Sequence, residues 1–173
     1  MEFKVSSKAK SLTVVLMLLG VIGICLGVWV EFTESHHHGE FFQTRFLGNL
    51  LVDSFFFFAI GLGALYFLAL QYATETGWYA SVKRIIEGVA GYLPYGIALM
   101  LITLLTLSLM KGGGIYLWMD GEHVKHDPIL VKKSAYLNQI FFWIRTLAYM
   151  GVYFIFWRGF KMRSLEEDKV GGS

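Results

Sequence analysis

The 173-residue chain is 55% apolar and 17% aromatic but only 16% charged, well under the roughly 25% of a soluble domain, and this is membrane composition. Its formal net charge of +2, with no basic run interleaved with aromatics, excludes a nucleic-acid partner. A single cysteine, Cys25, excludes an internal disulfide, a CxxC redox pair and a covalently attached c-type haem.

Residues 1–11 form a polar tail carrying Lys4, Lys8 and Lys10, and residues 12–30 that follow carry no charge. This run is longer than a signal-peptide core and leads into Glu31 without a small-x-small cleavage site, so it reads as a retained first span. Gly20, Gly23 and Gly27 lie on it, and the last two form a small-xxx-small pair that predicts packing against another helix. Ile24 precedes Cys25 where lipid attachment wants a small residue, so the cysteine reads as an apolar helix side chain.

Residues 31–46 are a polar connection with three adjacent histidines, His36, His37 and His38. Neighbouring histidines in a loop lack the i, i+4 spacing that converges on one metal, and a solvated, pH-responsive loop is the expectation. The second span, residues 47–72, carries Asn49 and Asp53 near its start, then the block from Phe55 to Phe58 and a small face of Gly61, Gly63 and Ala64. Residues 73–87 hold Trp78 and Tyr79 among charges, an interfacial anchor. Lys83 and Glu87 stand four apart, as a helical ion pair requires.

The third span, residues 88–110, is uncharged and contains Pro94, which removes a backbone donor and crowds the carbonyl of Ala90, so a kink is expected there. Residues 111–136 are the longest polar connection and hold Asp120, Glu122, His123, His126 and Asp127. The fourth span, residues 137–157, has Arg145 as its one charge, and residues 158–173 form a charged tail. The expected fold is therefore an all-α membrane protein of four transmembrane helices. The amino tail, the 73–87 connection and the carboxyl tail hold nine Lys and Arg, whereas the opposite side holds Arg45, Lys111, Lys125, Lys132 and Lys133. The positive-inside rule then puts both termini in the cytoplasm and the two long connections outside.

With that topology the second and fourth spans both descend from the outer surface, with Asp53 roughly 8 Å and Arg145 roughly 12 Å below it at about 1.5 Å per residue. Charges at such depth are costly in lipid, so they need partners. Either the two form an ion pair, directly or through water, or each faces a separate partner subunit. No histidine lies within a span, so the chain alone brackets no haem b, and it has no iron-sulfur spacing, nucleotide loop or nucleophile triad. The remaining polar constellation is Asp53, Asp120, Glu122, His123, His126, Asp127, Tyr136, Asn138 and Arg145. Such a set suits a wet vestibule that accepts protons, with Asp53, Arg145, Asp120, His126 and Asp127 as the proton-handling groups. It equally suits a quinone headgroup site built on Asp53, His126, Tyr136, Asn138 and Arg145. His123 and His126, three apart in a loop, are no diagnostic metal pair.

Several stretches together carry a family resemblance. They are S-S-K-A-K-S-L-T-V-V-L-M-L-L-G-V-I-G-I, F-F-F-F-A-I-G-L-G-A-L followed by Q-Y-A-T-E-T-G-W, E-G-V-A-G-Y-L-P-Y-G, I-Y-L-W-M-D, H-D-P-I-L and K-S-A-Y-L-N-Q-I-F-F-W-I-R. In order and spacing the chain resembles the amino-terminal half of the second quinone-binding membrane subunit of bacterial alternative complex III, a quinol:cytochrome c oxidoreductase. A His-rich first outer loop is also usual in that family. The resemblance implies a relative of the polysulfide-reductase membrane subunit, with about ten helices in two four-helix bundles plus flanking spans. This chain holds four of them, so it corresponds to a portion of such a subunit or to a short form of it.

The resemblance further implies a multi-pass protein of the bacterial inner (plasma) membrane, beside a multihaem cytochrome c subunit, an iron-sulfur subunit and a related quinone-binding membrane subunit. Haems and iron-sulfur clusters are then expected in the partners, with quinone the one group this chain could touch. Quinol oxidation and proton release would take place at the outer face, with this chain as support rather than as an electron carrier. A purely structural anchor for peripheral electron-transfer subunits and a small four-span transporter are the alternatives.

Overall fold

The computed structural model describes residues 6–38, 40–110 and 114–170. Lys4, Gly39, residues 111–113 and residues 171–173 lie outside the described residues, as do the side chains of His36, His37, His38 and Tyr79. Among the described residues the fold is all-α: α1 (Ser7–His38), α2 (Glu40–Thr74), α3 (Lys83–Ala90), α4 (Leu93–Leu109), α5 (Gly121–His126), α6 (Pro128–Lys133) and α7 (Gln139–Val170). Short 3-10 turns occupy Gly77–Ser81 and Leu117–Met119. Four stretches are long and apolar enough to cross a membrane: Ser7–Gly27, Arg45–Thr74, Lys83–Leu109 and Gln139–Lys169.

The helices outrun the spans expected from composition. Residues 31–38, expected in a loop, continue α1, and the residues from Glu40 already belong to α2, so His36–His38 have helical backbone. At the other end α7 starts two residues later than expected and runs through most of the charged tail. Hydropathy marks where a helix leaves lipid, whereas backbone hydrogen bonding continues into water wherever no Pro or Gly stops it.

The chain divides into two compact units, Met1–Phe46 and Leu47–Ser173. In the first, α1 is apolar around its whole circumference and its span buries nothing. Gly20 and Gly23 face open space and only Gly27 approaches a side chain, the Phe46 ring, at 3.5 Å. The packing predicted from Gly23 and Gly27 is therefore not supplied within this unit.

In the second unit, α2 turns a continuous stripe inward: Leu47, Ser54, Phe58, Gly61, Leu65, Leu68 and Gln71 are buried. Their three- and four-residue spacing is that of one helix face. Against it α4 places Leu93, Gly96, Ile97, Met100, Thr103, Leu104 and Leu107. The two helices interlock reciprocally. A Cβ on Gly61 would stand 3.2 Å from the Leu93 Cα, and one on Gly96 would stand 3.2 Å from the Phe58 Cα. Farther along, the Ser54 and Thr103 hydroxyls hydrogen-bond at 2.8 Å in the buried seam. This succession makes α2 and α4 antiparallel. Helix α7 runs parallel to α2, with Tyr153 against Phe58 and Phe160 stacked on Tyr72 at 5.4 Å, while Met150 and Trp157 complete the same core.

The kink expected at Pro94 takes the form of a break. Tyr92 N–H donates to the Val89 carbonyl at 3.1 Å, three residues back, and Gly91 and Tyr92 keep right-handed helical angles. Pro94 then sits in the first turn of α4, where its missing N–H costs nothing. The end of the bundle near this break is clasped by charge. Lys83 hydrogen-bonds Glu167 and Arg84 hydrogen-bonds Asp168, tying α3 to α7. Tyr72 donates to Glu167 at 3.3 Å from α2, and the predicted Lys83–Glu87 pair forms at 3.9 Å.

The expected small face of α2 is thus divided: Gly61 is at the crossing, whereas Gly63 faces open space. Gly96→Ala should lower stability in micelles by about 1–3 kcal/mol, because the new methyl meets backbone that cannot yield. Gly63→Ala should raise it by about 0.5–1 kcal/mol through helix propensity. Thermal or denaturant unfolding of the two variants checks both signs.

Candidate functional site

The polar residues singled out from the sequence gather around the segment that leads into α7. Asp120 caps α5 by accepting from the Glu122 N–H at 3.1 Å. Asp127 caps α6 by accepting from the Ile129 and Leu130 N–H groups at 2.8 and 3.4 Å, with Pro128 in the first turn. Asn138 caps α7: its Oδ1 accepts from the Phe141 N–H at 2.8 Å, while its amide donates to the Ser134 and Ala135 carbonyls. All three side chains satisfy backbone donors that a helix start leaves open. They shape the segment, and in Asp120 and Asp127 the cap bonds use Oδ1 alone.

Two histidines differ in the same way. His126 Nδ1 lies 2.9 Å from the Glu122 carbonyl and donates to it, which leaves Nε2 as the proton-accepting nitrogen. His123 is exposed, and Glu122 pairs with Lys125 at 2.9 Å. Among the described residues no group of three His, Cys, Asp or Glu side chains is placed to hold a metal. Tyr116, Trp118 and Phe142 form an aromatic wall with ring centroids 5.3–6.3 Å apart. Burial pushes the Tyr116 phenol above its usual range, so it stays neutral at physiological pH.

Arg145 is the chemically exposed member of this group. Its guanidinium lies 4.3 Å from the Tyr136 ring centroid and 5.2 Å from that of Phe141. The two rings themselves meet edge to face at 5.5 Å. This aromatic bracket favours a cation, yet Nη1 is buried and has no hydrogen-bond partner. One strong donor is left unmatched in a partly desolvated site.

Asp53 does not supply the match. It is exposed, and it makes no ion pair or hydrogen bond among the described residues. The direct pair expected from depth does not form, for a rotational reason. Ser54 and Phe58 point into the core, so Asp53, about 100° back around the helix, shares the outward stripe of Phe56, Phe57 and Ile60. Asp53 and Arg145 make no direct ion pair among the described residues. The structure therefore brings Tyr136, Phe141 and Arg145 together, engages Asp120, Asp127 and Asn138 as caps, and leaves Asp53 outside.

Sequence reasoning missed the bonds that hold this end in place. Ser108, at the end of α4, accepts from Trp143 Nε1 and from Gln139 Nε2, both at 3.3 Å. It also missed the buried Ser54–Thr103 bond. The available signal was the few Ser and Thr hydroxyls inside these apolar runs, Ser54 in one and Thr103, Thr106 and Ser108 in the other, the residue type that joins helices where lipid offers no alternative partner.

Fold and site together define a multi-pass helical membrane protein with an aromatic-bracketed arginine inside one span. No family model matches the chain, and no curated protein matches it significantly.

A double-mutant cycle between Asp53→Asn and Arg145→Gln should give a coupling below about 0.5 kcal/mol, the value for independent sites. Tyr136→Ala should destabilise by about 1–2 kcal/mol through loss of the cation–π contact, whereas Tyr136→Phe keeps the ring and should be near neutral. Unfolding measurements in micelles supply both tests.

Proposed function

We propose that the chain is an integral membrane subunit of a respiratory quinol:cytochrome c oxidoreductase of the alternative complex III type, in the bacterial inner membrane. It supports quinol oxidation and proton release at the outer face. The proposal rests on the ordered resemblance of its segments to that family, together with four apolar spans. The observation that carries the functional part is Arg145, whose Nη1 is buried without an acceptor. An ionisable group within a span marks a functional contact, and its partner is to be named. Here the partner is an acceptor from outside the chain: a quinone carbonyl oxygen, or a carboxylate or carbonyl of the neighbouring membrane subunit. His126 Nε2 is the nearby candidate to receive a proton, while Tyr136 holds the guanidinium in place.

The exposed apolar faces of the spans suit lipid or a neighbouring subunit equally. The span of α1 buries nothing within its own unit, and Trp29 on α1 and Ile140, Ile144 and Ile155 on α7 are each more than half exposed. The multihaem cytochrome, iron-sulfur and related membrane subunits of such a complex would meet these faces and the outer segment.

Arg145→Gln separates the readings. An assembled complex on blue-native gels whose quinol:cytochrome c activity is down about tenfold or more, the value of one hydrogen bond to a charged group, supports the quinol or proton role. Loss of assembly with normal subunit synthesis indicates a structural anchor. Migration of the wild-type protein far below any cytochrome-containing band indicates a small transporter and ends the proposal.

A further inference from the structure

The charged end of the bundle holds a cleft that the reading above does not use. It has a volume of about 300 Å³ and opens between α2, the α3–α4 break and α7. Leu65, Leu68, Phe160 and Leu165 form its apolar wall, and Glu87, Lys161 and Ser164 stand among its polar groups. An apolar wall beside a few convergent polar groups is the form of a ligand site.

Around the cleft one cation has no carboxylate and one carboxylate oxygen has no hydrogen bond. Arg84 is engaged by Asp168 and by Glu87 Oε2, and Lys83 by Glu167. Glu87 Oε1 is buried and accepts no hydrogen bond; Lys83 Nζ, 3.9 Å away, lends charge without bonding geometry. Lys161 pairs with no carboxylate among the described residues and rests 5.0 Å over the Trp157 ring. Ser164 adds a hydroxyl, buried at 6% exposure. One acceptor without a donor and one cation without an anion therefore face the same space. A buried carboxylate oxygen with no donor is costly.

We propose that this cleft binds a single phospholipid whose headgroup carries both a phosphate and a primary ammonium, of the phosphatidylethanolamine kind. The phosphate oxygens accept from Lys161 and Ser164, the ammonium donates to Glu87 Oε1, and an acyl chain lies along Leu65, Leu68, Phe160 and Leu165. A basic pocket between spans near the membrane surface is a known setting for lipid headgroups. The unmatched Glu87 oxygen makes this one selective, because it requires an N–H. A trimethylated headgroup has none, and a purely anionic one places no cation there. The inference needs only the membrane placement of the spans and stands apart from the respiratory reading.

Native mass spectrometry of the full chain in micelles tests it, with phosphatidylethanolamine, phosphatidylcholine and phosphatidylglycerol added in turn. One bound phosphatidylethanolamine, preferred about tenfold over phosphatidylcholine, is expected from one hydrogen bond to a charged group. Glu87→Gln should cut that preference to about twofold or less, while Lys161→Gln weakens both lipids. Gly88 lines the cleft, and a Cβ on it meets nothing within 4 Å. Gly88→Phe therefore adds bulk at the cleft wall where a Cβ is tolerated, and should abolish binding in a variant shown by its melting to be folded. Free phosphoethanolamine in excess should not displace the lipid; displacement would assign the site to a soluble phosphate compound and overturn the proposal. Equal binding of the two zwitterionic lipids, or binding indifferent to Gly88→Phe, would likewise overturn it.

Discussion

The contact on which the rest depends is the backbone-to-backbone crossing of α2 and α4. Lipid tails are as apolar as leucine, so burying leucine between spans gains little over leaving it in the bilayer, and association has to come from close packing and from polar bonds. Both are present in one seam. Gly61 receives Leu93 and Gly96 receives Phe58, each approach limited by main-chain atoms. The closeness this permits brings the Ser54 and Thr103 hydroxyls to 2.8 Å. Each of those hydroxyls also has a carbonyl of its own helix within reach, so the one that accepts across the seam donates its own proton there. With α2 and α4 fixed, α7 has a prepared surface, and Phe58, Tyr72 and Ile97 present the core against which Tyr153, Trp157 and Phe160 pack.

The two ends of this bundle treat polarity in opposite ways. At the charged end, long side chains from α3 and α7 neutralise one another across the gap, and such exposed pairs contribute little individually. Their value is geometric: they hold α7 beside the α3–α4 break and keep a cleft open there. At the other end, polarity serves the backbone. The segment from Trp118 to Asn138 folds into two short helices and the start of a long one, and short helices have few internal bonds relative to their open ends. Asp120, Asp127 and Asn138 therefore go to capping, which explains why a set of carboxylates and amides that looks like a ligand site is largely occupied already.

That distinction marks the limit of what the sequence makes legible. The four spans, the inward Phe58 with its outward neighbours, the Lys83–Glu87 pair and the disturbance near Pro94 all follow from composition and local spacing, because they depend on one helix at a time. A direct Asp53–Arg145 pair does not form among the described residues, because it depends on rotation, and depth alone is blind to rotation. Reading Ser54 and Phe58 as the inward face turns Asp53 outward at once. Likewise Asp127-Pro128 and Asn138-Gln139 carry helix-start signals within the sequence, and a reading for caps separates these groups from Arg145 and His126. The Ser108 bonds to Gln139 and Trp143 join residues more than thirty positions apart, and no local pattern announces them.

Arg145 and Asp53 then pose one physical question in two places. Each is an ionisable group within a span-length helix, and neither finds an opposite charge among the described residues. For Arg145 the aromatic faces of Tyr136 and Phe141 offset part of the desolvation and leave direction to Nη1, which has no acceptor. Asp53 shares the outward stripe with exposed Asn49 one turn before it and with Phe56, Phe57 and Ile60 after it. A carboxylate beside phenylalanines is tolerable next to another protein's donors or at a wet surface, not against acyl chains. The same face of α2 that is most apolar is thus the face least suited to lipid alone. The two readings of the charges, a water-bridged pair within the chain and a contact with a group that the chain does not provide, both answer that condition.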